Sequence, residues 1–114
     1  MEIGPGVFQS TTSTDEWAFD PEVNGEIHEL CAADGVESGM SRFVDVPSEP
    51  IRYVPPGRET FVVLEGRATV RIGGAITLEL RPGVVASLPP GAETEWVISE
   101  VPFQEFWVIG PAAS

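Results

Sequence analysis

Residues 51–66 read IRYVPPGRETFVVLEG, and the fold follows from them. Ile51–Val54 has the make-up of a short strand, Pro55-Pro56-Gly57 turns the chain, and Phe61–Leu64 is a wholly apolar strand. Residues 81–98, RPGVVASLPPGAETEWVI, repeat the grammar. Pro82-Gly83 makes a turn, Val84–Leu88 a strand, Pro89-Pro90-Gly91 a second turn and Thr94–Ile98 a further strand. Each proline presets φ for a turn, and each glycine admits the positive φ that follows.

Outward from these stretches the period stays at two. Thr60–Leu64 is apolar on both faces, with Phe61 and Val63 on one and Val62 and Leu64 on the other. If the first face lines a barrel, a second sheet or a second subunit must cover the other. Val84–Leu88 is read as apolar on both faces too. Arg67–Ile72 and Ile76–Leu80 form a hairpin about Gly73-Gly74. An even loop would set Arg67 and Arg71 beside the apolar residues, whereas a three-residue loop pairs Ala68 and Val70 with them, so a bulged turn holding both glycines is expected. The last strand places Phe103, Glu105, Trp107 and Ile109 on one face and Gln104, Phe106 and Val108 on the other. Upstream, Glu26–Cys31 and Ser38–Val46 read as two more strands. Some eight or nine short strands with no helical segment predict an all-β barrel or jelly-roll sandwich. Residues 1–25 are polar and read as an arm, anchored by Phe8, Trp17 and Phe19 onto the domain or a partner; residues 26–114 form one domain.

Composition bounds the function. Net charge is −12, and residues 1–50 hold eleven acids against a single arginine. That balance argues against nucleic acid or an anionic membrane as partner, and the acidic half is read as a solvated face. Lysine is absent, which excludes Schiff-base chemistry on lysine. No run approaches the ~20 apolar residues of a membrane span, and the first residues lack the pattern of a signal peptide. One cysteine, Cys31, allows no internal disulfide, and cytoplasm is the expected compartment. Cys31 reads as an inert thiol, sent by strand geometry to the face opposite His28. His28 itself, alone in a half-polar strand, reads as a hydrogen-bonded residue.

The two central stretches together resemble the cupin family. Its first motif ends in Glu, six residues, then Gly, as Glu59 and Gly66 do; its second runs Gly, five residues, Pro, any residue, Gly, as Gly83, Pro89 and Gly91 do. Ile51-Arg52-Tyr53, Val63-Leu64-Glu65-Gly66 and Trp96 are similar to a branch of small cupins related to the ethanolamine-utilisation protein and ureidoglycine aminohydrolase. The resemblance covers roughly residues 38–110 and implies a jelly-roll barrel of the double-stranded β-helix type. Metal-dependent cupins place His-x-His three or four residues before the Glu and another His in the second motif. The four-residue register puts Arg52 and Val54 at the first two positions and Thr94 at the third, so only Glu59 stands of that set. The resemblance therefore implies a barrel without the usual metal and without a cofactor.

In that alignment Arg52, Val54, Glu59 and Thr94 surround the place of the metal, with Trp96, Glu105 and Trp107 toward the same cavity. Arg52 is expected to clamp a carboxylate or other oxyanion, and Glu59 to act as general acid or base. The indoles, with Thr94 and Glu105, would hold a small anionic or cyclic metabolite. Two classes compete: a cofactor-free isomerase, lyase or cyclase, and a non-catalytic ligand-binding or accessory cupin in which Arg52 and Glu59 only pair. A homodimer built on the barrel's outer surface, with the arm crossing to the partner, is also expected.

Overall fold

The computed structural model describes residues 1–112, which form ten strands and, among themselves, no helix. β1 (Glu2–Gly4) and β2 (Val7–Phe8) make a separate small hairpin. The main sheet uses β3 (Ala18–Asp20), β4 (Gly25–Ala33), β5 (Val36–Phe43), β6 (Ile51–Tyr53), β7 (Gly57–Ile72), β8 (Ile76–Leu80), β9 (Val85–Leu88) and β10 (Thr94–Ala112). β7 and β10 run antiparallel along most of their length, and each serves two layers. In one layer the first part of β10 lies between β6 and the second part of β7, which carries β8 outside it. In the other, β3, β4 and β5 lead to the second part of β10, then to the first part of β7 and β9. This is the expected jelly-roll barrel.

The segments 61–64 and 67–72, expected as separate strands, are one strand bent at Gly66. Gly66 has φ of 80°, and a Cβ there would stand 2.5 Å from the carbonyl oxygens of Glu100 and Pro102. Only glycine fits that approach. The same irregularity joins 94–98 to 103–109 within β10. The β7–β8 hairpin has the odd loop that the pattern requires: Ile72 faces Ile76, Val70 faces Leu78 and Ala68 faces Leu80, with Gly73 and Gly74 both at positive φ. The last strand also keeps its predicted parity, since Phe103, Glu105, Trp107 and Ile109 are all buried. Val84–Leu88 departs from expectation. Ala86 and Leu88 face inward, but Val85 is 67 % exposed and Ser87 bonds the side chains of Thr60 and Arg58.

The inner faces meet in a core of Phe61, Val63, Val70, Leu88, Trp96 and Phe103. Each such side chain contributes about 1.5–3 kcal/mol on burial. The arm is more structured than its composition suggests, because β3 adds to the edge of β4. Between β2 and β3 it crosses the outer face of its own chain's sheet. Gln104 donates to the Thr12 carbonyl at 2.9 Å, and the Arg42 guanidinium lies 4.3 Å over the Trp17 ring. His28 is gripped there by Ser10 Oγ and the Glu16 carbonyl, each at 2.7 Å, so both ring nitrogens are engaged. Phe19, expected as an anchor, is 65 % exposed. A register shift between Glu29 and Cys31 pairs Cys31 with Ser38, whereas His28 pairs with Met40. Ser38 and Met40 share a face, so the bulge puts Cys31 on the side of His28 and not opposite it.

Candidate functional site

The barrel holds a cavity of about 130 Å³, walled in part by the core residues Phe43, Trp96, Phe103 and Trp107. At ~10–15 Å³ for one water, the space suits a molecule of roughly ten non-hydrogen atoms. β6 decides what reaches it from one side. Thr94, Glu95 and Trp96 of β10 pair with Tyr53, Arg52 and Ile51. Because Thr94 and Trp96 point inward, so do Tyr53 and Ile51, and Arg52 and Val54 point out. Arg52 has a side chain 87 % exposed and approaches Glu95 at 3.7 Å on the outer surface. The expected clamp beside Glu59 is thus corrected: Tyr53 occupies that place. In family terms the three-residue register holds, with Tyr53 and the fully buried Pro55 at the two inward positions.

Tyr53 donates its hydroxyl to Glu59 Oε1 at 2.5 Å. Glu59 comes from the first part of β7, opposite Ile109, and is buried. Glu105, opposite Ser41 and Val63, is also buried, and its Oε2 has no hydrogen-bond partner. Trp107 closes the wall beside it and donates Nε1–H to Ser41 Oγ at 2.8 Å. Trp96 packs against Phe61 at 5.5 Å and Phe103 at 6.4 Å, and donates to Thr94 Oγ1 at 3.0 Å. Thr94 in turn donates to the Tyr53 carbonyl at 2.5 Å. Thr94 is therefore a brace that holds β6 and Trp96 in place; it does not line this cavity but borders a second one, with Arg52, Tyr53, Val54 and Arg71. Both indoles offer ring faces, since their N–H groups are already used.

Three buried ionisable groups of the cavity, Glu105, Glu59 and Tyr53, are shifted upward. Burial pushes the Glu105 carboxyl well above its ordinary range, and the nearby Glu59 charge pushes further. Burial also raises Glu59; the Tyr53 hydrogen bond lowers it again, and Glu22 raises it. Tyr53 is raised strongly, first by burial and then by its bond to Glu59 and the surrounding carboxylates. Three more acids line the mouth, Asp20 and Glu22 near the β3–β4 turn and Glu37 on β5. No arginine, lysine or histidine is among the described lining residues. The counter-charge that an anionic ligand needs is not there.

The donor set does not fit the transition metal of metal-dependent cupins. Such an ion wants three or four N, O or S donors. Tyr53, Pro55 and Thr94 stand where the histidines would, and Glu59 is already bonded by Tyr53. Among the described residues no three His, Cys, Asp or Glu side chains come together as a metal-holding group.

What sequence reasoning missed here is Tyr53 and the mouth acids. The alternation Ile51, Arg52, Tyr53, Val54 contained the first signal: a guanidinium between two large apolar groups is the one that faces water.

Comparison with known proteins agrees with this architecture. Residues 47–104 match the model of the EutQ-like cupin domain. A solved structure from Salmonella typhimurium LT2, described as a candidate ethanolamine utilization protein Q, superposes with TM-score 0.76 at 20 % identity, covering 96 % of this chain and 89 % of that one. An RmlC-like cupin with a double-stranded β-helix fold from Methanocaldococcus jannaschii gives 0.66 at 11 % identity, with coverage of 93 % and 90 %. A candidate mannose-6-phosphate isomerase from Ralstonia eutropha JMP134 gives 0.71 at 17 % identity, with coverage of 91 % and 98 %. No functionally curated protein matches the chain. At these identities the structures carry the fold alone, while the family match spans half of the sequence. The chain belongs to the EutQ-like cupin domain family.

Proposed function

We propose that this chain is a metal-independent cupin that takes a small organic molecule into the barrel and moves a proton within it. The observation that carries the reading is Glu105 Oε2, buried at the cavity without a partner, in electrostatic contact with a second buried carboxyl, Glu59. A group with no protein partner, in a cavity that admits a ligand, has its partner in the ligand. Glu105, raised by burial and by its neighbour, holds a proton more readily than an exposed carboxyl and is the donor. Glu59, kept more acidic by the Tyr53 hydroxyl, is the base. Two carboxyls whose environments differ in this way divide acid and base roles between them. Isomerisation, elimination and cyclisation need only a proton taken from one atom and delivered to another. The aromatic walls exclude water from that exchange.

The test is carbon-bound proton exchange. A panel of small carbonyl compounds, hydroxy acids and amines would be incubated with the protein in D2O and followed by NMR. At least one should gain deuterium, and Glu59→Gln should slow that exchange by about 10²-fold or more. Ligand binding with no exchange anywhere in the panel would reduce the protein to a receptor. The homodimer remains part of the proposal. Its support is the outer face of β7, β9 and β10, where Val62, Leu64 and Phe106 are half-buried and Val85 and Val108 exposed. Light scattering should give twice the chain mass.

A further inference from the structure

The cavity carries five carboxyl groups: Glu59 and Glu105 inside, Asp20, Glu22 and Glu37 at the mouth. Nothing basic lines it among the described residues, although the chain has six arginines. Four of the six are engaged elsewhere. Arg42 pairs with Glu26, Arg52 with Glu95 and Arg67 with Glu100, and Arg58 bonds Ser87, all on the outside. We infer that the cavity's ligand is an organic cation, an ammonium carried on a small apolar body, seated with its charge against Glu105 and Glu59.

Three observations converge on that class. Glu105 Oε2 is buried and lacks a hydrogen-bond partner; a cation seated beside it favours the ionised carboxyl, whose proton passes to water, and this leaves an acceptor for an N–H or a counter-charge for a quaternary nitrogen. The walls present the π faces of Tyr53, Trp96 and Trp107, whose polar atoms are already engaged within the protein. Ring faces attract a cation and repel an anion. The acids at the mouth repeat the sign of those inside, so the field draws a cation inward and turns an anion away.

An inorganic cation fits less well. Calcium takes six to eight oxygen ligands in a cage, and magnesium a near-octahedral shell. Among the described residues no three carboxylates come close enough together to hold a metal ion, and much of the remaining wall is aromatic or aliphatic, including Val23, Ile27 and Ile109. An ammonium with an alkyl body matches both halves of that lining.

The inference rests on the proposed cavity as a small-molecule site, and not on the proton-transfer step. It is tested with probes of one shape and three charges: choline, 3,3-dimethyl-1-butanol and 3,3-dimethylbutanoate, with n-butylammonium, 1-butanol and butanoate as a slimmer series. Binding would be read by tryptophan fluorescence, since Trp96 and Trp107 line the site, and by calorimetry. The cation of at least one series should bind tenfold or more tightly than its neutral isostere, and the carboxylate should not bind. Glu105→Gln should remove most of that preference, and Glu95→Gln, on the outside, should leave it intact. Thermal melts would establish that both variants fold. Equal or tighter binding of the alcohol or the carboxylate overturns the inference, as does failure of both cations to bind. Saturable binding of calcium or magnesium with no ammonium binding also overturns it. Cation binding without deuterium exchange in any substrate would instead leave this inference standing and remove the catalytic reading.

Discussion

Acids on the outside of this barrel and acids within it live under different rules. Outside, Glu26, Glu95 and Glu100 each stand within 4 Å of an arginine. Water screens the Arg52 and Arg67 pairs, which contribute little, while the Arg42–Glu26 pair lies half-buried under Trp17 and keeps its counter-charge there. Inside, no arginine or histidine among the described residues lines the cavity of Glu59 and Glu105, which have only a phenol on one and nothing on an oxygen of the other. Burying carboxyls without a counter-charge costs stability. A chain with six arginines, none among the described lining residues, accepts that cost here. The difference separates charge that solubilises from charge buried at a cavity.

The largest effect should come from removing the unpartnered acid. Glu105→Met replaces a buried, unsatisfied carboxyl by an apolar group of similar length. Urea midpoints at pH 8 should rise by an amount equivalent to about 1–3 kcal/mol, while binding in the cavity is lost. A clear drop in stability would mean that Glu105 is satisfied by the fold and that the inside obeys the outside's rules.

The wild-type protein should report the same acids through pH. A carboxyl with a raised folded-state pKa holds its proton more tightly when folded. Its stabilising contribution is whole below the ordinary carboxylate range and is lost as pH rises through the folded value. Both Glu105 and Glu59 are raised, so stability should fall as pH climbs above the ordinary carboxylate value of 4.5 and through the raised folded-state values. Self-repulsion of a chain at −12 slopes the same way. The decisive quantity is therefore the difference between wild type and Glu105→Gln, which should have the shallower slope. Parallel slopes would show that Glu105 does not titrate differently on folding.

How much of this was legible depends on which physical signal each residue carries. The barrel was legible because turn chemistry and a period of two are local: Gly73-Gly74 forces the odd loop, and Glu105 and Trp107 share a parity that pairing only confirms. The inward side of β6 was not, because a strand of three residues can be registered either way, and the family's spacing permits both. The error moved Arg52 into the cavity and Tyr53 out of it. Asp20, Glu22 and Glu37 were read as solvated surface because nothing local distinguishes them. They reach the mouth only through the pairing of β3, β4 and β5.

Tyr53→Phe probes the one satisfied acid inside. It deletes the hydrogen bond to Glu59 Oε1 and leaves ring packing intact. A loss of about 0.5–1.5 kcal/mol is expected, the net worth of an ordinary hydrogen bond. Removing the bond also removes what lowers Glu59, so the pH slope should steepen. An unchanged slope would mean that Tyr53 does not set the character of Glu59.

The smallest effect belongs to Arg52→Ala, and it discriminates most sharply between the two regions. The Arg52 side chain is 87 % exposed and 3.7 Å from its partner, so the pair is worth at most a fraction of ~1 kcal/mol. Urea midpoints should barely move, and the remainder should fade in high salt. Binding in the cavity should be unchanged, because β6 turns this side chain away from Glu59 while Tyr53 faces it. A guanidinium that clamped a ligand carboxylate would behave otherwise. Its loss would remove binding by tenfold or more and leave stability nearly untouched. That result would place a cation inside the barrel after all, and with it an anionic ligand. Indifference in both measurements leaves the inside to carboxyls and ring faces alone.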